Sequence, residues 1–436
     1  MPLANPSRRA FLGGGLASLL LAHPELARAA SAALASDVAA DWPKVADLIR
    51  RYVAEKKLPG VVATFGWGSA APRSLTLGSQ AFGEGAAAVN LDSLYRIYSM
   101  TKPVTGLVTA MLITEGKLSL DMRLADVFPE FGAMKVYDAA KPAAPARPTD
   151  KPITLRNLLT HTAGFGYGGI GKDPISQELM RRGVVPGAIS RQIIPGVTSP
   201  TPTPGPKEFL RRAAETPLLA EPGAMFRYSI AIDILGLLLE EVTKKPLSQL
   251  MHERIFGPLG MSSTGFRVRA ADVPRLTTNY GVLGNTPLPI DPGAKSVFLD
   301  VPPFEFGGAG LVSSPRDYDR FAQVLVGDGK LHGKRVIDAK AVRLAVSNLL
   351  PPGAQTKGTG IEGAGYGAGG RVGLGEDEGM FGWSGAAGTL FFVHRRIGLR
   401  AALFAQFMPP EIYPLQKEFL AAAKADVLPM MPKKAA

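Results

Sequence analysis

Strand-like runs stand at the two ends of this chain and the stretch between them is mainly helical, which leaves few architectures open. Residues 61–67 and 74–82 are dense in β-branched, aromatic and leucine side chains around a Gly/Ala/Pro turn, and 390–393 and 399–406 read as a second strand pair. Between them, residues 155–159, 207–219, 230–242, 247–255, 317–326 and 339–349 place apolar residues at helical spacing. Helical patterns at 42–57 and 412–425 flank the two strand groups. The Pro-rich stretches 139–152 and 195–206 read as loops, residues 257–261 as a turn, and the glycine-rich 358–375 as broken backbone. Alternating β and α units would demand a parallel sheet; this order does not alternate. The expected class is α+β: an antiparallel sheet built from both chain ends with flanking helices, plus an inserted mainly helical region. The corresponding divisions are a signal at 1–35, a sheet subdomain at 36–115 and 300–428, a helical subdomain at 116–299 and a tail at 429–436.

A chain of 436 residues with 46% hydrophobic and 20% charged content has enough apolar material for a packed core. The net charge of +12 invites a nucleic-acid reading, but Lys and Arg are scattered and no basic run is interleaved with aromatics. No nucleic-acid partner is expected. The absence of cysteine removes disulfides, thiolate metal sites and a Cys nucleophile together. Ser7-Arg8-Arg9 precedes a short apolar run from Phe11 to Ala22, and Ala27-Arg28-Ala29 or Ala33-Leu34-Ala35 offers a cleavage site. That run falls short of the roughly 20 residues a membrane span needs. It is similar to a twin-arginine export signal, so the export machinery is the expected partner, a periplasmic or secreted location follows, and stable membrane insertion does not.

Three short motifs carry chemistry. Tyr98-Ser99-Met100-Thr101-Lys102 places a lysine three residues after a serine where a strand runs into a helix, so both face one way. A serine hydroxyl needs a base to become a nucleophile, and a buried lysine can be one. Phe226-Arg227-Tyr228-Ser229-Ile230 puts a tyrosine before a long helix, where a phenol beside an amine can relay a proton. Gly382-Trp383-Ser384-Gly385-Ala386-Ala387-Gly388-Thr389 is small-residue-rich before a strand, and the N–H of Ala386 with that of Ser99 would form an oxyanion hole. Taken singly, these also read as a helix-capping serine, a core-edge tyrosine and a glycine turn.

Other chemistries lack their parts. Gly382-Trp383-Ser384-Gly385-Ala386 misses the G-x-S-x-G elbow at its last position, and His252-Glu253 lacks the second His of H-E-x-x-H. No metal or cofactor is expected.

In their order the three motifs resemble the serine β-lactamase-like, penicillin-binding superfamily. The segments Leu158–Gly164, Gly257–Met261 and Gly308–Ser313 with Asp317-Tyr318 look similar too. The resemblance implies the class C β-lactamase fold, Ser99 as acylated nucleophile, Lys102 and Tyr228 as proton partners, and Trp383, Ser384 and Gly385 lining the site. Two departures bear on substrate. Ile230 stands where class C β-lactamases carry an Asn, and Trp383 where they carry a Lys; the second change resembles family VIII carboxylesterases. Loss of the amide and the cation favours a neutral small-molecule ester, with Trp383 and Ile230 among its contacts and ring-opening of β-lactams as a side activity. The alternatives are a β-lactamase or D-amino-peptide hydrolase, and a non-catalytic peptidoglycan-binding relative. The oligomeric state is left open.

Overall fold

The computed structural model describes residues 38–194 and 197–430. The expected export signal at 1–35 and most of the tail at 429–436 lie outside the described residues.

Helix α1, Pro43–Ala54, starts at a proline and buries Val45, Leu48, Ile49 and Tyr52 along one stripe. Strands β1, Gly60–Trp67, and β2, Arg73–Gly78, follow as an antiparallel pair with Val62 opposite Thr76. The chain returns to this sheet near its other end through β3, Gly365–Tyr366, β4, Arg371–Val372, β5, Met380–Ser384, β6, Leu390–His394, and β7, Leu399–Phe404. The seven strands lie in the order β3-β4-β5-β6-β7-β1-β2, each pairing antiparallel with its neighbour.

The period-two geometry of a strand sorts side chains between two layers. Val61, Ala63 and Phe65 of β1, with Leu390, Phe392, Ala401 and Leu403, face one core, closed by α1 and the C-terminal helix Leu415–Val427. Val62, Phe391, Val393, Ala402 and Phe404 face the other, larger core. That core is built on helices α2, Thr101–Thr114, α3, Ala231–Thr243, and α4, Pro315–Val326. Burial on both faces explains why β6 and β7 read as nearly unbroken apolar runs. The two chain ends also meet directly: the Asp426 carboxylate accepts the N–H groups of Lys44 (3.2 Å) and Val45 (3.1 Å), capping α1.

Several local expectations are corrected. The second strand stops at Gly78, whose φ of +84° turns the chain, and does not run to Phe82. The glycine-rich stretch read as broken backbone supplies β3 and β4, two-residue strands too short to show a period. Residues 257–261 are not a free turn: Gly257–Leu259 continues a helix that ends at Gly260 with φ +64°. Helix Pro174–Arg181, to which the sequence assigned no element, is started by Asp173 accepting the Ser176 N–H at 2.8 Å. The middle of the chain also holds a hairpin, Asn279–Leu283 with Thr286–Asp291, joined by Phe407–Met408. Pro287 and Pro289 hid its second strand, which is an edge strand, where missing N–H groups are tolerated.

That hairpin anchors the backbone leading to Ser99. Arg96, with no exposed side-chain surface, donates from Nε to Asp291 Oδ2 (2.6 Å), from a terminal nitrogen to the Asp291 carbonyl (3.0 Å) and from the other to Thr277 O (2.6 Å). Gln406 closes the ring, accepting the Arg96 N–H at 3.1 Å and donating to the Arg96 carbonyl at 3.1 Å. A buried guanidinium without its carboxylate is costly. Asp291→Ala is therefore expected to lower unfolding stability by about 3–5 kcal/mol. Urea denaturation checks this; a loss below about 1 kcal/mol, the range of an exposed ion pair, would mean the pair does not anchor this region.

Candidate active site

Strand Tyr95–Arg96, paired with Val312–Ser313, runs into a single 3₁₀ turn, Tyr98–Met100, and then directly into α2. Tyr98 is held at φ +40°, a conformation that costs a non-glycine residue energy and here turns the chain sharply before Ser99. The turn is locked from three sides. Tyr318 donates to the Met100 carbonyl (2.7 Å), the Leu311 N–H donates to Thr101 Oγ1 (3.1 Å), and Thr105 donates to the Gly307 carbonyl (2.6 Å). Ser99 retains 7% exposure and Lys102 none.

Lys102 Nζ donates to Ser99 Oγ at 3.0 Å, to the Gly308 carbonyl at 2.8 Å and to Tyr167 Oη at 3.3 Å. It also lies 4.6 Å from the centre of the Tyr228 ring, a cation–π distance. The structure thus brings Ser99, Lys102 and Tyr228 together, but with a particular division. Tyr228 meets the lysine with its ring face, while its hydroxyl accepts a hydrogen bond from Trp383 Nε1 at 3.1 Å. The phenol oxygen within hydrogen-bond distance of Lys102 belongs to Tyr167, which sequence reasoning missed. Tyr167 follows Gly166 in a glycine-containing loop with no periodic signal. Its ring lies 5.1 Å from that of Tyr228, edge to face. Burial pushes this phenol well above its ordinary value, and the negative forms of Tyr228 and Asp233 push the same way. Tyr167 is accordingly protonated at neutral pH and able to give a proton.

His161 supports the tyrosines from beneath. Burial holds its imidazole well below the ordinary value, so it is neutral; the Lys102 charge acts in the same sense. Its Nδ1 accepts the Ser229 N–H (3.2 Å), its carbonyl accepts the Arg227 N–H (2.7 Å), and its ring lies 4.6 Å from that of Tyr228.

The third motif comes from β5 and the turn after it. Trp383 stands half-buried with its ring 5.4 Å from Tyr228 and 5.2 Å from Tyr366. Ser384 ends the strand opposite Leu390. Gly385 has to be glycine: a Cβ there would lie 2.4 Å from the Ile97 carbonyl and 2.1 Å from Thr389 Oγ1. This close approach brings the turn holding Ala386 against the segment holding Ser99. Gln416, from the C-terminal helix, pins it by donating to the carbonyls of Gly385 and Thr389, both at 2.8 Å. Ile230 is the correction. It has no exposed surface and packs in the larger core, so it offers nothing to a ligand.

A cavity of 330 Å³ opens beside the two tyrosines, walled by Phe165, Tyr167, Ile170, Phe226, Arg227 and Tyr228. The arrangement has parts that covalent catalysis requires: a hydroxyl, a buried amine that reaches it, and one phenol whose oxygen reaches the amine.

The Beta-lactamase family model matches residues 45–425. Protein Rv1367c of Mycobacterium tuberculosis is 36% identical over 260 residues, 59% of this chain and 60% of that protein. The chain therefore matches about 60% of the length of the first curated relatives. Esterase EstB of Burkholderia gladioli is 29% identical over 334 residues, 72% of this chain and 77% of its own. Among solved structures, EstCE1, titled a hydrolase with promiscuous acyltransferase activity, has a TM-score of 0.69 at 24% identity, covering 87% of this chain and 97% of that one. That likeness shows the fold.

The position of Tyr167 yields a test. Tyr167→Phe is expected to lower kcat/KM for an activated ester about as strongly as Tyr228→Phe, roughly 10²-fold, with an unchanged melting temperature. Steady-state kinetics on both variants checks it. A Tyr167→Phe enzyme with wild-type rates would return the phenol's role to Tyr228 alone.

Proposed function

The chain belongs to the Beta-lactamase family, whose model spans residues 45–425, and on that premise we propose that it is a serine hydrolase of carboxylic esters with Ser99 as nucleophile. The observation that carries this reading is the fully buried Lys102, whose Nζ stands 3.0 Å from Ser99 Oγ. An amine sequestered from water at hydrogen-bond distance from a hydroxyl is the base that an unactivated serine requires.

In the proposed cycle Lys102 reacts as the neutral amine: Ser99 Oγ attacks the ester carbonyl while the serine proton passes to the free lone pair of Nζ. The N–H groups of Ser99 and Ala386 face the tetrahedral oxyanion. A phenol of the Tyr167/Tyr228 pair returns a proton to the departing alcohol, leaving an acyl-Ser99 ester. Water, deprotonated by the same group of side chains, then releases the acid and restores the serine.

Ester specificity rests on Trp383. At that position the indole gives an aromatic wall and donates to Tyr228 Oη, where a lysine would offer a cation to a substrate carboxylate. Substrates presenting a carboxylate beside the scissile bond, as β-lactams and D-amino peptides do, lose that partner. A neutral acyl ester loses nothing. The esterase name of the Burkholderia gladioli relative supports the same reading. Because the nucleophile would be shared, slow ring-opening of β-lactams is expected as a side activity. The retained Ser99, Lys102 and tyrosines argue against a purely binding role.

The test compares a short p-nitrophenyl ester with nitrocefin on wild type and Ser99→Ala. The expected result is ester turnover well above nitrocefin turnover, with both reduced at least about 10³-fold in the variant. Dominant nitrocefin hydrolysis would overturn the ester assignment, and turnover surviving in Ser99→Ala would overturn the nucleophile.

A further inference from the structure

Asp233 is a carboxylate inside the apolar run of α3, with Ala231, Ile232, Ile234 and Leu235 around it in sequence, and all five residues are fully buried. Its Oδ1 accepts the Gly308 N–H at 2.8 Å. The carbonyl of the same residue, Gly308, accepts Lys102 Nζ at 2.8 Å. The second carboxylate oxygen of Asp233, Oδ2, is buried with no hydrogen-bond partner among the described residues. Gly308 is the link between acid and amine, and only glycine fits there. A Cβ at 308 would lie 2.7 Å from Oδ2 and 2.8 Å from Oδ1.

We infer that Asp233 is a positioning residue for Lys102: through the Gly308 residue it aims Nζ at Ser99, and it supplies the negative charge against which that amine gains a proton when Ser99 attacks. The inference rests on the Ser99–Lys102 reading above. It extends the logic of a nucleophile, a base and an orienting acid to a chain in which the acid acts across one residue instead of by direct contact. As Ser99 Oγ forms its bond to the carbonyl carbon, the serine proton moves to Lys102 Nζ. Asp233 stays ionised throughout and takes no proton.

A purely structural acid would have both oxygens satisfied, since an unpartnered buried acceptor costs stability. Here one oxygen accepts the Gly308 N–H and the other has no hydrogen-bond partner among the described residues. The titratable groups facing the carboxylate are Lys102, from α2, and Tyr167, from its loop. Burial raises the carboxyl to about 6, with Lys102 and the Gly308 N–H pulling the other way. The sign follows. A carboxyl raised above its ordinary 3.8 favours the fold while protonated, and that contribution is lost as pH rises through about 6. At neutral pH ionised Asp233 therefore burdens the fold, which is the mark of a group kept for function.

Asp233→Asn keeps an oxygen for the Gly308 N–H and removes the charge. In the full chain it should lower kcat/KM for a p-nitrophenyl ester by about tenfold or more with little change in KM. The acidic limb of the pH profile should move to lower pH, and the melting temperature at neutral pH should equal or exceed that of wild type. A second measurement separates action through the lysine from structural damage. Labelling of Ser99 by a fluorophosphonate should slow about tenfold on Asp233→Asn in the wild-type background, yet less than about twofold in a Lys102→Ala background. Equal slowing in both backgrounds, or a wild-type rate and acidic limb in Asp233→Asn, would overturn the inference. A fall in melting temperature with an unmoved limb would do the same. Turnover surviving in Ser99→Ala would instead place the failure in the nucleophile assignment.

Discussion

A lysine with no access to water, held against a serine hydroxyl, is the constraint around which this molecule is organised. An amine buried in apolar surroundings is unfavourable unless every donor finds an acceptor. Lys102 meets that demand with the Ser99 hydroxyl, the Tyr167 phenol and the Gly308 carbonyl, together with the face of the Tyr228 ring. Each comes from a different part of the chain. The turn before α2 supplies Ser99, the loop after His161 supplies Tyr167, the segment before α3 supplies Tyr228, and the turn ahead of α4 supplies Gly308. The amine can be buried only if all four arrive together.

The sheet makes that meeting possible. Joining β1 and β2 to strands from the far end of the chain places Gly385 against Ile97, and so the third motif beside the nucleophile. Arg96 and Asp291 then hold the approach to Ser99 in one position. Some of the molecule's backbone strain and incomplete hydrogen bonding lies at this site. Tyr98 and His161 adopt positive φ, and Asp233 Oδ2, His161 Nε2 and Tyr366 Oη are buried without hydrogen-bond partners among the described residues. Such departures persist where surrounding packing over-determines them, and functional sites are where they gather.

Much of this was legible in residue order. Strand patterns at both ends, with helices between, pointed to one antiparallel sheet closed by the termini, and three motifs in order pointed to a family. What was not legible had physical reasons. β3 and β4 are two residues each, too short to carry a period. The proline-bearing hairpin strand gave no strand signal because prolines are admitted only at an edge, and the edge is a tertiary fact. Tyr167 sits among glycines and announces nothing until the loop folds onto Lys102. Ile230 stood out through an absent amide, yet its side chain faces the core and not the cavity. Asp233 did leave a trace: an acid within the apolar run 230–239 is a buried charge in need of an explanation.

The central claim is that catalysis passes through a covalent acyl group on Ser99, and it can be observed directly. Rapid acid quench of the enzyme during turnover of an activated ester, followed by intact-mass measurement and peptide mapping, reports where the acyl group resides. The account predicts an added mass equal to one acyl group, carried on the peptide containing Ser99 and absent once substrate is exhausted. An acyl group on any other residue, or full turnover with no covalent adduct under conditions that trap acyl-enzymes, would contradict it.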